Sequence, residues 1–457
     1  MGDLIWIGAL GMLPVVGAPV LSHPTFRRLG AAARVVLSAA AGAVIASFAM
    51  TLFTLAHVRW GVGSVTAVAL ALAFGLRAAL PAPPPPVIAP KRSADARRSP
   101  EEVLVASVSA LGVAAAFFAT LAAAATSPDL FFFWGPKAQQ FAAARGVDTA
   151  YLAEPAHAYM HAYYPPLVVN LGALASIAAG RFSWTSATLT FPILLVALAA
   201  ALPGILREGA GRFRSAAVSA LAVTALAVVG IRASVAGNGD MPLVFFETLA
   251  VALLLRRDAG DAAIQLLAGV LLAGAAAAKV EGLVVAAAVP LLFIALRRKA
   301  HPAGAAAASA ARLLGPTAAT LGAWFAVGAT TGLFHDYSEY GAFFALHPEY
   351  ARTVATALPV ALGHTGLGLP YLVPLAALLL AGRPAREGWL PLSAAACLIV
   401  FLVFAYLHHI RDPSLWIAWS AARVLMPVPA LLALALAAGA LPRAEAGGPP
   451  QEAPSPR

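Results

Sequence analysis

Charge is what this chain has least of. Only 11% of its 457 residues are Asp, Glu, Lys or Arg, while 61% are hydrophobic. A soluble fold needs a polar shell, so composition alone excludes a water-surrounded globular domain of this length. Cysteine is almost absent as well. Cys397 is the only one, which excludes an intramolecular disulfide and a cysteine metal cluster. Segments of ~10 residues with alternating polarity, the mark of a membrane β-barrel, are also missing. No internal repeat is visible.

What fills the chain instead is a series of apolar windows, each long enough to cross a ~30 Å hydrocarbon core as a helix. They fall at 3–21, 35–56, 62–80, 102–125, 185–206, 215–231, 241–257, 262–278, 282–296, 312–330, 363–381, 388–407 and 424–441. The expected fold is therefore an all-α integral membrane protein of about 13 transmembrane helices. The first window lacks a basic n-region and a small-residue cleavage site, so it reads as a retained helix rather than a signal peptide. Alanine runs such as Ala273–Ala278 suit close helix packing in lipid. A second run, Ala305–Ala308, reads as loop.

The net charge of +10 is explained by where it lies. One apolar stretch, Leu167–Gly180, is short, and counting it as a span inverts the charge bias of the loops around it. With it set aside, alternate loops collect Arg27, Arg28 and Arg34; Lys91, Arg92, Arg97 and Arg98; Arg207, Arg212 and Arg214; Arg256 and Arg257; Arg297, Arg298, Lys299 and Arg312; Arg383 and Arg386; and Arg443 and Arg457. With Arg77 these make 21 of the 30 Lys+Arg, against 9 of the 20 acids. The positive-inside rule places that side in the cytoplasm, and no nucleic-acid partner is needed. Leu167–Gly180 then becomes a re-entrant or interfacial helix on the outer face. The expected organisation is an accessory N-terminal unit over 1–80, a Pro-rich basic linker over 81–101, a working core over 102–441 and a disordered cytoplasmic tail over 442–457.

By this topology the polar residues gather in outer loops. Asp129 follows the fourth window amid Phe131, Phe132, Phe133 and Trp134. The aromatics fit an interfacial belt, but a carboxylate among them is less often idle. Asp240 lies two residues before Pro242, where it can cap a helix, and Glu247 follows on the same face inside an apolar window. Lys279 and Glu281 share a tight turn, and either a merely polar turn or a site explains them. Arg423 heads the last window, where a cation opposes the helix dipole; anion binding or snorkelling would account for it. Eight histidines fall outside: His57, His157, His161, His335, His347, His364, His408 and His409. His157 and His161 have i,i+4 spacing and could share a metal if helical, but no third ligand is placed, and hydrogen bonding is the simpler role.

Four stretches in this order resemble the GT-C glycosyltransferases: Asp129–Ala138, Tyr163–Leu167 (Tyr-Pro-Pro-Leu), Asp240–Phe246 and Lys279–Leu283 (Lys-x-Glu-Gly). A looser WSAARVLMPVP comes near the end of the chain. The closest branch comprises the protein O-mannosyltransferase-like and aminoarabinose-transferase-like enzymes, and the resemblance covers about 102–441. Leu130 stands where those enzymes often carry a second acid. The resemblance implies a GT-C-like core whose long first outer loop carries interfacial helices. It also implies transfer of a sugar from a polyprenyl-phosphate donor to a lipid, glycan or protein acceptor, on the periplasmic or extracellular face of a bacterial inner membrane. Asp129 would be the general base, with Asp240 as the second catalytic acid. Lys279 and Arg423 would stabilise the departing phosphate, Glu281 would help position the acceptor or a divalent cation, and Lys137, Tyr163 and Tyr164 would contact substrate. The resemblance makes no cofactor certain: some relatives use a divalent metal and some do not. The main rival is a transporter or flippase for a lipid-linked or anionic substrate, and Glu247 is its best support.

Overall fold

The computed structural model describes residues 2–81, 99–297, 303–333, 345–382, 385–409 and 412–438. The linker from Ala82 to Arg98, the tail from Gly439, His335 with its neighbours, and the cations Arg298, Lys299, Arg383 and Arg411 lie outside these. Helix is the rule among the described residues, and a single parallel bridge, Thr126 to Ala236, is the only extended pairing.

The N-terminal window is bent: α1 (Gly2–Leu10) and α2 (Leu13–Leu21) flank Gly11 and Met12. Helices α3 (Ala31–Leu55) and α4 (Val62–Ala78) come next. A Cβ added to Gly42 would come within 2.0 Å of the Leu13 carbonyl oxygen, so α2 and α3 cross backbone to backbone there. These helices are not set apart in space from the helices beyond the linker. Trp6 donates to Ser176 Oγ at 3.1 Å, and Asn170 donates to Ser47 Oγ at 3.1 Å.

Helix α5 (Pro100–Leu121) opens with a capping box between Ser99 and Glu102. The outer loop after it contains α6 (Gly135–Ala144), α7 (Thr149–Ala153) and α8 (Leu167–Ala179). At 13 residues, α8 is only about 20 Å long, too short to cross a bilayer on its own. It packs on α6 and α1 with Asn170 and the run from Gly172 to Ser176 buried.

Next come α9 (Trp184–Ala210), α10 (Arg212–Arg232), α11 (Asp240–Leu254), α12 (Ala262–Ala278) and α13 (Gly282–Arg297). Of the 15 residues of α11, all but Pro242 are buried, so this helix forms the middle of the bundle. Its two ends carry separate ion clusters. Beyond Leu254, Arg256 is buried and held by Asp258 at 2.8 Å and Glu208 at 2.7 Å. The other cluster surrounds Asp240.

The chain continues through α14 (Ala303–Thr331), α15 (Ala351–Gly363), α16 (Leu369–Ala381), α17 (Trp389–Leu407), α18 (Ser414–Val424) and α19 (Pro427–Ala438). Three expectations need correction here. Ala305–Ala308 is not loop but the first turns of α14, as the high helix propensity of alanine favours. Helix α15 lies where an outer loop was expected. The last window holds α19 alone; a break at Leu425–Met426 separates it from α18, and Arg423 sits in the final turn of α18, not at a helix head. There the helix dipole favours a cation, so the dipole gives no reason to demand an anion.

Each apolar window coincides with a helix or a helix pair. Among the described residues eight are long and apolar enough to cross a membrane: Gly2–Leu21, Ala31–Leu55, Pro100–Leu121, Trp184–Ala210, Arg212–Arg232, Gly304–Thr331, Arg386–Leu407 and Ser414–Ala438. The other windows hold shorter helices. Large apolar side chains such as Leu111, Phe118 and Leu380 are left exposed on the outside of the bundle. Lipid is the solvent that tolerates them, and the chain is a multi-pass membrane protein.

Candidate active site

Two loops build the site. The chain after α5 runs through Thr126, and the chain before α11 runs through Ala236. They are laced together by Ala236 N–H donating to the Ala125 carbonyl at 2.8 Å and Ser127 N–H donating to the Ala236 carbonyl at 3.0 Å. Ser127 Oγ then accepts from the Asp129 N–H at 3.2 Å, which fixes the start of the aromatic segment. That segment, Leu130–Trp134, is wound as a π-helix, a form often found at functional sites. Gly237 adopts φ +90°, and a Cβ there would meet the Leu130 side chain at 2.6 Å, so glycine lets the two loops close.

Asp240 is not the N-cap of α11; it is the first helical residue, behind Gly239. Asn238 makes the local hydrogen bonds instead. Its Oδ1 accepts the Asp240 N–H at 3.0 Å, and its Nδ2 donates to Asp240 Oδ2 at 2.6 Å. The carboxylate, 3% exposed, thereby faces two cations from distant segments. Lys279 Nζ, in the turn between α12 and α13, lies 2.7 Å from Asp240 Oδ1 and 3.0 Å from Glu281 Oε1. Arg423 Nε lies 3.1 Å from Asp240 Oδ2, and its Nη2 donates to Asp129. One continuous chain of ion pairs, Asp129–Arg423–Asp240–Lys279–Glu281, thus joins four segments. Burial works against the Lys279 ammonium, but the Asp240 and Glu281 carboxylates outweigh it and hold its pKa above the usual lysine range.

The members differ in access. The Asp129 side chain is 37% exposed and Arg423 19%, against 3% for Asp240. A reactant can reach Asp129; Asp240 is walled in, with both oxygens engaged. Its position suits it to orient Arg423 and Lys279 rather than to touch substrate. Glu281 keeps its Oε2 buried without a hydrogen-bond partner among the described residues.

Lys137 is not a member of the ion chain, whereas Tyr164 lies within electrostatic reach of its Lys279. Lys137 is buried, donates to the Met160 carbonyl at 2.8 Å and lies 3.9 Å from the Phe133 ring centroid. Burial pulls its pKa down to about 7. Tyr164 stacks on His161 at 5.1 Å and meets Phe133 edge-on, while the Tyr163 carbonyl accepts from Trp324 at 3.0 Å. These residues form an aromatic wall around Lys137.

The metal pairing of His157 and His161 fails on geometry. The segment Pro155–Met160 is a 3-10 helix and His161 turns to φ +49°, so the two rings do not share an α-helical face. His157 Nδ1 is instead 2.8 Å from the Tyr151 carbonyl oxygen. No group of three or more His, Cys, Asp or Glu side chains placed to hold a metal occurs among the described residues, and both Asp240 oxygens are already taken by cations. The described residues therefore do not make a resident metal site.

Beside the ion chain opens an apolar cavity of about 390 Å³. Leu130, Trp134 and Gly237 line its end next to the site. Helices α1, α2 and α3 form one wall, and α8, α9 and α11 the other. Sequence reasoning missed this cavity, and it also missed Asn238 and Tyr406. Asn-x-Asp before a helix was a usable signal for the first. Tyr406, whose hydroxyl pairs with Ser420 at 2.8 Å one turn before Arg423, looks like any aromatic in an apolar window. No family model, curated protein or solved structure matches the chain.

Proposed function

We propose that this chain is a membrane glycosyltransferase of the GT-C kind, moving a sugar from a polyprenyl-phosphate donor to an acceptor hydroxyl. The observation that carries this reading is the Asp129–Arg423–Asp240–Lys279–Glu281 ion chain, with one reachable carboxylate, next to a lipid-sized apolar cavity that Leu130, Gly237 and Pro242 help to line. A prenyl tail fits the cavity by chemistry, and its phosphate then meets Arg423. The thirteen-span topology, with the site on the outer face of a bacterial inner membrane, belongs to the same proposal. It draws on the charge bias of the loops and on the two ion clusters at opposite ends of α11.

With all five members ionised the chain carries one net negative charge. An incoming phosphate is favoured only where it takes a carboxylate's place on a cation. Arg423 is that cation: donor phosphate replaces Asp129 on Nη2, and Asp129 is released toward the acceptor. Asp129 then takes the hydroxyl proton as the oxygen attacks the anomeric carbon. The bond from that carbon to the phosphate oxygen breaks, and polyprenyl phosphate leaves with the electron pair. Asp240 keeps Arg423 and Lys279 aimed throughout. The test is sugar transfer by the purified chain with candidate polyprenyl-phosphate sugars, comparing wild type with Asp129→Asn. Equal transfer by both would remove Asp129 from the role of base.

A second reading, transport of a lipid-linked or anionic substrate, is favoured by Glu247. This carboxylate is fully buried in α11 and neither oxygen has a hydrogen-bond partner among the described residues. Absence of transfer with every donor, together with substrate movement across vesicles, would select this reading.

A further inference from the structure

We propose that the cavity between the ends of α11, α13 and α17 binds the phosphate headgroup of an anionic phospholipid. Its volume is about 270 Å³, and its apolar lining comes from Leu254, Phe293, Leu296 and Leu390. Arg297, Arg386 and Glu387 supply the polar part. Leu254 is the last residue of α11, so the cavity lies at the opposite end of that helix from Asp240 and is independent of the glycosyltransferase reading.

Arg297 closes the last turn of α13, and its guanidinium lies 4.7 Å from the Phe293 ring centroid. Stacking of this kind holds the plane of the group and leaves its N–H donors available. Neither Arg297 nor Arg386 makes an ion pair or hydrogen bond among the described residues, in contrast to Arg256 on the same end of the bundle, which is saturated. Glu387 offsets one of the two charges. The start of α17, two residues on, adds the partial positive charge of a helix N-terminus.

Two features select a lipid over a soluble anion. Most of the lining is large and apolar, which a bare phosphate cannot use. Leu291 on α13 and Trp389 on α17 are exposed on the helices that form the cavity, giving acyl chains a surface to follow from the headgroup outward. A phosphodiester on two guanidinium groups with its chains along those helices satisfies both parts of the lining.

Native mass spectrometry of the full chain, titrated with dioleoylphosphatidylglycerol, dioleoylphosphatidylcholine and inorganic phosphate, tests this. Wild type retains phosphatidylglycerol in preference to phosphatidylcholine. Arg297→Gln and Arg386→Gln each weaken that retention about fivefold, and the pair on the order of 25-fold. Lysine at both positions keeps most of it. Equal retention of the two lipids, or a glutamine pair that selects phosphatidylglycerol as wild type does, overturns the proposal. So does inorganic phosphate that binds alone and strips the lipid preference, because the cavity then takes a soluble anion. If the glutamine pair melts early, Arg386→Gln alone, at a position less bound into the bundle, decides.

Discussion

Arg423 reaches Asp240 with its Nε at 3.1 Å, which leaves its Nη2 for Asp129. A single side chain thus couples a walled-in carboxylate to a reachable one. The fork of the guanidinium is what makes this possible, since two donors in fixed geometry address two acceptors at once. Lysine offers a compact point charge and cannot span them in the same way. Arg423→Lys is expected to keep the fold, measured by melting temperature, and to lower kcat/KM for sugar transfer by about tenfold or more. Unaltered transfer would mean that the fork is not used.

Asp129→Asn separates chemistry from structure. The side chain is 37% exposed, so losing its ion pair changes stability by about 1 kcal/mol or less. If Asp129 is the base of the proposed transfer, its loss lowers the rate by roughly 10²–10⁴-fold. A large rate loss at constant melting temperature is the expected result, read from single-turnover transfer with saturating donor.

Asp240→Ala behaves in the opposite manner. It leaves Lys279 and Arg423 with only Glu281 and Asp129 as partners in a buried setting. Removing one member of a buried pair costs on the order of 3 kcal/mol, at the low end of the usual range because each cation keeps a second carboxylate. The melting temperature and the transfer rate fall together. A drop in rate alone would move Asp240 from positioning into contact with substrate.

Much of this was legible in the sequence, for a physical reason. A membrane helix must satisfy its backbone internally and face lipid with apolar side chains, so windows of apolar residues announce themselves. Charges that must be tolerated at their ends, such as Asp129, Asp240, Lys279 and Arg423, stand out against so little other charge. One helix break was under-read: Pro427 follows the pause at Leu425–Met426 and opens α19, which leaves Arg423 at the end of a helix and not at a helix head. The apolar cavity was invisible because its lining is drawn from seven α-helices and the π-helical segment, and no one-dimensional pattern relates Trp6 to Phe246.

Lys137 gives the chain a pH signature. Folding lowers its pKa from 10.5 to about 7 by burial, so the folded chain holds this proton less tightly than the unfolded chain. Between those two values the unfolded state binds more protons, and stability rises with pH. Below pH 7 both states are protonated and the contribution is flat. Melting temperature is expected to climb from pH 7 toward pH 10, and Lys137→Met to remove that slope. The same slope in the variant would trace it to another group.

Glu247→Gln weighs the two functional readings. The carboxamide keeps the shape, and there is no hydrogen-bond partner among the described residues for it to lose. If the chain transfers sugar through Asp129, the variant keeps transfer within about twofold, because Glu247 lies two turns below Asp240 and outside the ion chain. If the chain moves an anionic substrate across the membrane on a titrating carboxyl, the same variant stops transport in vesicles.

The apolar cavity makes a prediction that depends on donor length. Ala197 lines it from α9 and is only partly buried, so a larger side chain there can extend into the space. Ala197→Phe fills part of the cavity without touching Asp129, Arg423 or Asp240. A donor with a long prenyl tail must then bind with its chain displaced, and KM rises on the order of tenfold, as expected when a bulky group opposes an apolar ligand. A donor with a tail too short to reach α9 keeps its KM, and kcat is unchanged for both because the reacting groups stay in place. Comparing the two donors on the same variant isolates the cavity from the chemistry. An equal loss for both would show that the substitution disturbs the site itself, and no loss for either would show that the tail lies elsewhere.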